Sequence, residues 1–195
     1  MFNIESKEAA NRLLDALGEQ LTTLDAHYEL VVVGGSALIA LDLISRPTED
    51  VDVVALLDEH GLQTATPLPQ PLLVARDRVA RDLGLPADWL NDGPASLLSL
   101  GLPDGFMSRA TSSAHGPSLT VWYASRLDQI HLKLYATVDQ GPGRHEADLR
   151  ALEPTRDELL VAAHWSRSHD PSEGYDGVLT QVLEAFGVAD ETRGA

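Results

Sequence analysis

Residues 30–57 read LVVVGGSALIALDLISRPTEDVDVVALL, and this stretch decides the fold. The run at 29–33 is short, β-branched and bounded by glycine, which predicts a buried strand and not a helix. Gly34-Gly35-Ser36 then turns the chain into a helix expected over Ser36 to about Ile44, which Arg46-Pro47-Thr48 breaks. A second strand is expected over 51–57. Side chains alternate along a strand, so Asp50 and Asp52 share one face while Val51 and Val53 turn into the core. Two carboxylates on one face repel unless a cation sits with them, and inside an apolar run an unpaired charge is costly. A hard divalent cation such as Mg²⁺ takes oxygen ligands and commonly keeps phosphate as a partner. A glycine turn entering a helix offers free backbone N–H groups to an anion. Carboxylates on one side and a phosphate cradle on the other describe a site for a nucleoside triphosphate and its metal.

Outward from this stretch, the composition is that of a soluble globular chain. The 195 residues are 44% hydrophobic and 23% charged, enough for one good core and a helical appendage. No run approaches the roughly 18 apolar residues of a membrane span. The N-terminal MFNIESKEAANRLLDAL reads as an amphipathic helix and not as a signal peptide. With no cysteine there is no disulfide or thiolate metal site, which fits a cytoplasmic location. A net charge of −16 argues against coating nucleic acid by bulk attraction. Lysine stands only at Lys7 and Lys133, so a polyanionic substrate would have to meet a local arginine cluster.

Further elements follow from periodicity. A helix is expected over 6–23, with an apolar stripe at Ala10, Leu13, Leu14, Leu17 and Leu21. Another is expected over 72–83, closed by Gly84-Leu85-Pro86, and residues 87–100 read as a second short helix around Trp89 and Leu90, then a loop with Gly93-Pro94. LTVWYA at 119–124 predicts a third strand. Beyond it, helices are expected over 128–138, 145–152, 155–168 and 178–186, with a frayed tail DETRGA. The chain thus divides into a sheet-containing catalytic part over roughly 1–125 and a mostly helical part over 126–190, read together as one domain over 1–195.

Several side chains carry a functional reading beside a plainer one. Lys133 lies at the edge of an apolar helix stripe and could be a snorkelling surface lysine; in a chain nearly devoid of lysine it could instead neutralise a triphosphate. Asp148, in HEADLRAL, borders the side defined by Leu149 and Leu152 and could be an exposed helix acid. Arg126, Arg144 and Arg150 could form a positive rim near Lys133 and Asp148. Arg76, Arg78 and Arg81 alternate with Asp77 and Asp82, which favours a solvated face. His145 has no second histidine at metal-ligand spacing. Trp89, Trp122 and Tyr123 read as core. No G-x-S-x-G elbow and no Gly-Lys-Ser/Thr phosphate loop occurs.

The run GGS followed by Arg46-x-Thr48-x-Asp50-x-Asp52 resembles the signature of the DNA polymerase β-like nucleotidyltransferases. Lys133 in HLKLYA and Asp148 in HEADL are similar to the later motifs of the AbiEii and MenT-type toxins of bacterial toxin–antitoxin systems. The resemblance spans about 30–152. It implies an α+β nucleotidyltransferase fold, a small mixed sheet flanked by helices with a helical C-terminal part. It implies a Mg²⁺-dependent transfer of NMP from an NTP, a pyrimidine in some members, to the 3′ acceptor end of tRNA. That would block aminoacylation and translation. By motif match, Gly34, Gly35 and Ser36 would hold the triphosphate, with Arg46 and Lys133 as further phosphate contacts. Asp50 and Asp52 would bind the metal, and Asp148 would support Lys133 or the metal site. A cognate antitoxin is a candidate partner, a membrane is not, and a monomer is the default. Transfer to a cationic small molecule or to a protein, or nucleotide binding without catalysis, are the alternatives.

Overall fold

The structure, a computed structural model, describes residues 3–189; the expected frayed tail at 190–195 lies outside them. The chain forms two compact units, Met1–Ser125 and Arg126–Ala195.

The first unit is the sheet unit. Helix α1 (Lys7–Thr23) starts where the Ser6 hydroxyl accepts the Ala9 N–H at 3.2 Å, and it buries the expected stripe of Leu13, Leu14, Leu17 and Leu21. Strand β1 (Tyr28–Val33) runs into α2 (Gly34–Ala40), and β2 (Val51–Asp58) turns back through a hairpin into β3 (Gly61–Thr64). Helix α3 (Gln70–Leu83) ends on Gly84, which adopts the left-handed conformation that closes many helices. The remaining elements are β4 (Leu90–Asn91), a 3₁₀ turn (Gly93–Ala95), α4 (Ser96–Leu100), α5 (Phe106–Arg109), β5 (Thr111–Ala114) and β6 (Leu119–Tyr123).

Among the described residues the six strands form one mixed sheet in the order β3-β2-β1-β6-β5, with β4 also on β2. Strand β1 is antiparallel to β2 and parallel to β6. The outer edge of β2 is shared: β3 pairs with Ala55–Asp58 and β4 with Val51 and Asp52. Leu30, Val32, Val51, Val53, Leu119 and Val121 pack in one core with α1 and α3. Trp89 is fully buried there, as its sequence setting implied, and its indole N–H donates to the Arg76 carbonyl.

The second unit is helical: α6 (Arg126–Gln140), α7 (Arg144–Ala151), α8 (Arg156–His169) and α9 (Glu173–Ala185). Helix α6 packs against the other three. A reciprocal cap between Thr155 and Glu158 starts α8, and the Ser172 hydroxyl starts α9 at Glu173, five residues before the expected position. The fold class is therefore the α+β one expected: a small mixed sheet with its own flanking helices in the first unit and a helical second unit, nine α-helices in all among the described residues.

Two expectations are corrected. The short helix expected around Trp89 and Leu90 is absent: Leu90 and Asn91 pair with β2 as a strand, and the segment expected as a loop with Gly93-Pro94 makes a 3₁₀ turn and then α4. The helix after β1 begins at Gly34 and ends at Ala40, so Ser36 lies inside its first turn and does not cap it.

Candidate functional site

Strand β1 delivers the chain to Gly34, whose φ of +76° is the left-handed conformation that favours glycine. In the ladder Val33 stands opposite Asp52. The Asp52 side chain lies over the glycine: a Cβ placed on Gly34 would come within 2.5 Å of Asp52 Oδ2. The other carboxylate oxygen accepts a hydrogen bond from Asn91 Nδ2 at 3.2 Å. Asn91 can reach it because β4 sets Asn91 opposite Asp52.

The second acid is placed from the other side of the turn. Thr48 Oγ1 donates to Asp50 Oδ1 at 3.1 Å. A Cβ on Gly35 would approach Thr48 Oγ1 to 2.7 Å, so Thr48 packs directly on that glycine. Thr48 is itself tied down, its backbone bonded in both directions to Ile4 at 2.6 and 3.1 Å. Val51, between the two acids, is 1% exposed and belongs to the core. Gly34 thus borders Asp52, and Gly35 borders the Thr48 that holds Asp50; each acid accepts from a neutral donor.

Ser36 is 3% exposed, and its Oγ has no hydrogen-bond partner. A buried hydroxyl left unbonded costs about 1–3 kcal/mol, so this group is a natural place for a ligand oxygen. An orphaned donor beside glycines with no room for a side chain fits a phosphate group. Among the described residues no group of three or more His, Asp or Glu side chains converges as a metal cage. A Mg²⁺ held by two carboxylates, with the rest of its shell from water and substrate phosphate, is the usual arrangement for that ion. The Arg46 guanidinium donates to the Pro47 carbonyl at 3.1 Å, close in sequence to Thr48.

Lys133 and Asp148 belong to the helical unit, where they form a buried ion pair. Lys133 Nζ lies 2.8 Å from Asp148 Oδ2, with side chains 7% and 1% exposed. The plainer readings, a snorkelling lysine and an exposed helix acid, are both overturned. Of the expected positive rim, Arg126 is bound to Glu158 and to the Leu152 and Glu153 carbonyls. Arg150 meets Glu146 at 2.8 Å and lies 4.2 Å over the Phe186 ring. These guanidinium groups brace the helices. His145 meets Gln140 at 3.1 Å. On α3, Arg76 pairs with Asp77 and Arg81 with Asp82, the charge-balanced face expected.

Sequence reasoning missed Asn91 and gave Thr48 no role. The signal for Asn91 was the turn-forming Asn91-Asp92-Gly93-Pro94, which argues against a continuous helix at that point.

The profile of the DUF6036 family, described as a nucleotidyltransferase of unknown function, matches residues 11–142. No curated protein and no solved structure matches the chain. The protein belongs to this nucleotidyltransferase family.

Proposed function

We propose that the chain is a Mg²⁺-dependent nucleotidyltransferase that moves a nucleoside monophosphate, a pyrimidine nucleotide, from an NTP to the 3′ acceptor end of tRNA, acting as the toxin of a toxin–antitoxin pair. The observation that carries the enzymatic part is the placement of the Asp52 carboxylate over Gly34; the buried Ser36 hydroxyl without a hydrogen-bond partner, two residues further along the chain, supports it. The tRNA acceptor and the toxin role come from the sequence resemblance.

In this reading the acceptor 3′ hydroxyl attacks the α-phosphorus. A new P–O bond forms, the α–β bridge breaks and pyrophosphate leaves. Asp50 and Asp52 would hold Mg²⁺, which when bound supplies charge neutralisation on the phosphates and acidifies the attacking hydroxyl. The remaining work is positioning and electrostatic stabilisation by the chain itself. Gly34 and Gly35 let phosphate come against the backbone where any side chain would block it. Ser36 Oγ donates to a phosphate oxygen, and its burial keeps that bond from competing with water. Asn91 and Thr48 fix the rotamers of Asp52 and Asp50, so both acids are aimed before substrate arrives. The sequence resemblance alone makes Lys133 a phosphate contact with Asp148 as its positioning residue; within the helical unit their 2.8 Å pair supports the latter role.

The test is incubation of the purified chain with each labelled NTP, Mg²⁺ and total tRNA, beside Asp52→Asn. Label in tRNA from one NTP, lost in Asp52→Asn while the variant keeps its circular dichroism, supports the reading. Label only in an added cationic small molecule such as an aminoglycoside would move the acceptor to that class, which the −16 charge favours. Wild-type transfer by Asp52→Asn removes the metal role.

A further inference from the structure

The helical unit carries a cluster of rings that nucleotide chemistry leaves unused. His131 and Tyr135 on α6, Trp165 and His169 on α8, and Tyr175 on α9 make a connected set. Trp165 and His169 lie 4.4 Å apart between centroids. Tyr135 lies 6.0 Å from Trp165, 6.4 Å from His169 and 5.9 Å from Tyr175. His131 packs edge-on against Trp165 at 5.7 Å.

His131 and Tyr175 are buried, while Tyr135, Trp165 and His169 are half-buried. Val161, 58% exposed, stands one turn before Trp165. Val161, Trp165 and His169 therefore follow one side of α8 at i, i+4 and i+8, a stripe about 12 Å long.

The surroundings are acidic. Asp139, on the last turn of α6, and Asp170, just past α8, both act electrostatically on Tyr135 and on Tyr175. Asp139 is exposed, and Asp170 accepts the Ser172 N–H at 3.0 Å. Neither carboxylate has an ion-pair partner among the described residues, whereas Arg167, in the last turn of α8, is paired with Asp176 at 2.7 Å.

We propose that this face of the helical unit binds a basic peptide segment of a protein partner, taking an arginine or lysine head group on Trp165 and Tyr135 within reach of Asp139 and Asp170. Ring faces attract cations, and a guanidinium bonded to carboxylate is among the stronger polar contacts. The same acids repel the phosphates of a nucleic acid, as does the net charge of −16. The length of the stripe favours a peptide over a single small cation, because about four residues of extended chain at about 3.3 Å each would span it. Val161 offers an apolar contact to a neighbouring side chain of that segment.

The probe is a fluorescein-labelled hexapeptide, Leu-Arg-Ala-Arg-Leu-Arg, titrated into the full chain at about 150 mM salt, where distant surface charge is screened, with anisotropy as readout. Trp165→Ala, and separately the pair Asp139→Asn and Asp170→Asn, are each expected to weaken binding about tenfold, the loss of one ring–cation or carboxylate contact. Glu59→Gln, which removes an exposed charge from the other unit, is expected to leave binding unchanged. The acid pair is at the surface, so circular dichroism should be unaltered and that arm stands even if Trp165→Ala fails to fold. No binding by the wild type, equal loss with Glu59→Gln, or no loss in the acid pair would overturn the proposal. So would tighter binding of a labelled oligouridylate that the ring and acid variants lose, since the rings would then be stacking on bases.

Discussion

Gly34→Ala separates backbone strain from site chemistry when it is read beside Gly84→Ala. Both glycines are left-handed, with φ of +76° and +67°. Forcing a side chain into that conformation costs about 1–2 kcal/mol, and at about 2–4 °C per kcal/mol for a chain of this size the melting temperature should fall by about 2–8 °C in each variant. Their surroundings differ. A Cβ on Gly84 meets nothing within 4 Å, whereas one on Gly34 lands 2.5 Å from Asp52 Oδ2. Gly34→Ala must therefore swing the Asp52 carboxylate away and loosen its bond to Asn91. The assay is thermal unfolding with and without Mg²⁺ and a non-hydrolysable NTP. Ligand at about 100 times its Kd stabilises by about 2.7 kcal/mol, a shift of about 5–11 °C by the same conversion. Wild type and Gly84→Ala should both show it, and Gly34→Ala should not. A full ligand shift in Gly34→Ala would refute the reasoning, because the nucleotide would then bind without Asp52 in its present place.

Ser36→Ala should leave the ligand-free protein as stable as wild type or up to about 1 kcal/mol more so, since it removes a buried hydroxyl with no partner; the nucleotide-induced shift should shrink at the same time, and a destabilised apo protein with an intact shift would contradict the assignment. Lys133→Met strands the buried Asp148 charge and should cost about 3–5 kcal/mol in denaturant unfolding. The double variant Lys133→Met/Asp148→Leu should recover most of that loss, and strictly additive losses would show that the pair is not coupled. Burial, with help from Asp15, pushes the Tyr123 hydroxyl up from 10.0 to about 12. A raised folded value means this contribution is complete below about pH 10 and lost as the pH climbs toward 12. Tyr123→Phe, whose lost hydroxyl had no partner, should be as stable as wild type at pH 7 and lose less over that alkaline range, measured as unfolding free energy against pH.

Long periodic elements were legible from the residues. Helix α1 declared itself through its leucine stripe, β1 through VVV and β6 through LTVWY, because each buries an apolar face that the sequence spells out. The strands that went unseen are β3, β4 and β5, of four, two and four residues. They are too short to show alternation, and the residues Gln63, Thr64, Thr111 and Ser112 face solvent. Their pairing is fixed by the neighbouring strand, a tertiary effect that local propensity does not carry. The same holds for Asn91, whose importance exists only once β4 lies along Asp52. Lys133 and Asp148 were found as residue types, but their mutual burial was not visible, since the pair is made by the packing of α7 on α6.

Alternation with Val51 and Val53 gives Asp52 its true face, but alternation counted from the far end of β2 does not. Along β2, Leu56 stands opposite Leu30 and packs against the core. Counting back in steps of two from Leu56 would bring Val54 and then Asp52 to that same core face, burying a carboxylate among Leu30 and Val32. The register shifts instead: Val31 pairs with Ala55, but Val32 pairs with Val53, so Val54 is the extra residue of a bulge. That single insertion inverts the parity of everything before it. Val53 and Val51 turn into the core, both at most 1% exposed, and Asp52 turns out beside Val33 and over Gly34. The bulge is thus as much a part of the site as the acids, because without it the same residues would point the carboxylate into the core and leave the glycine turn facing valine.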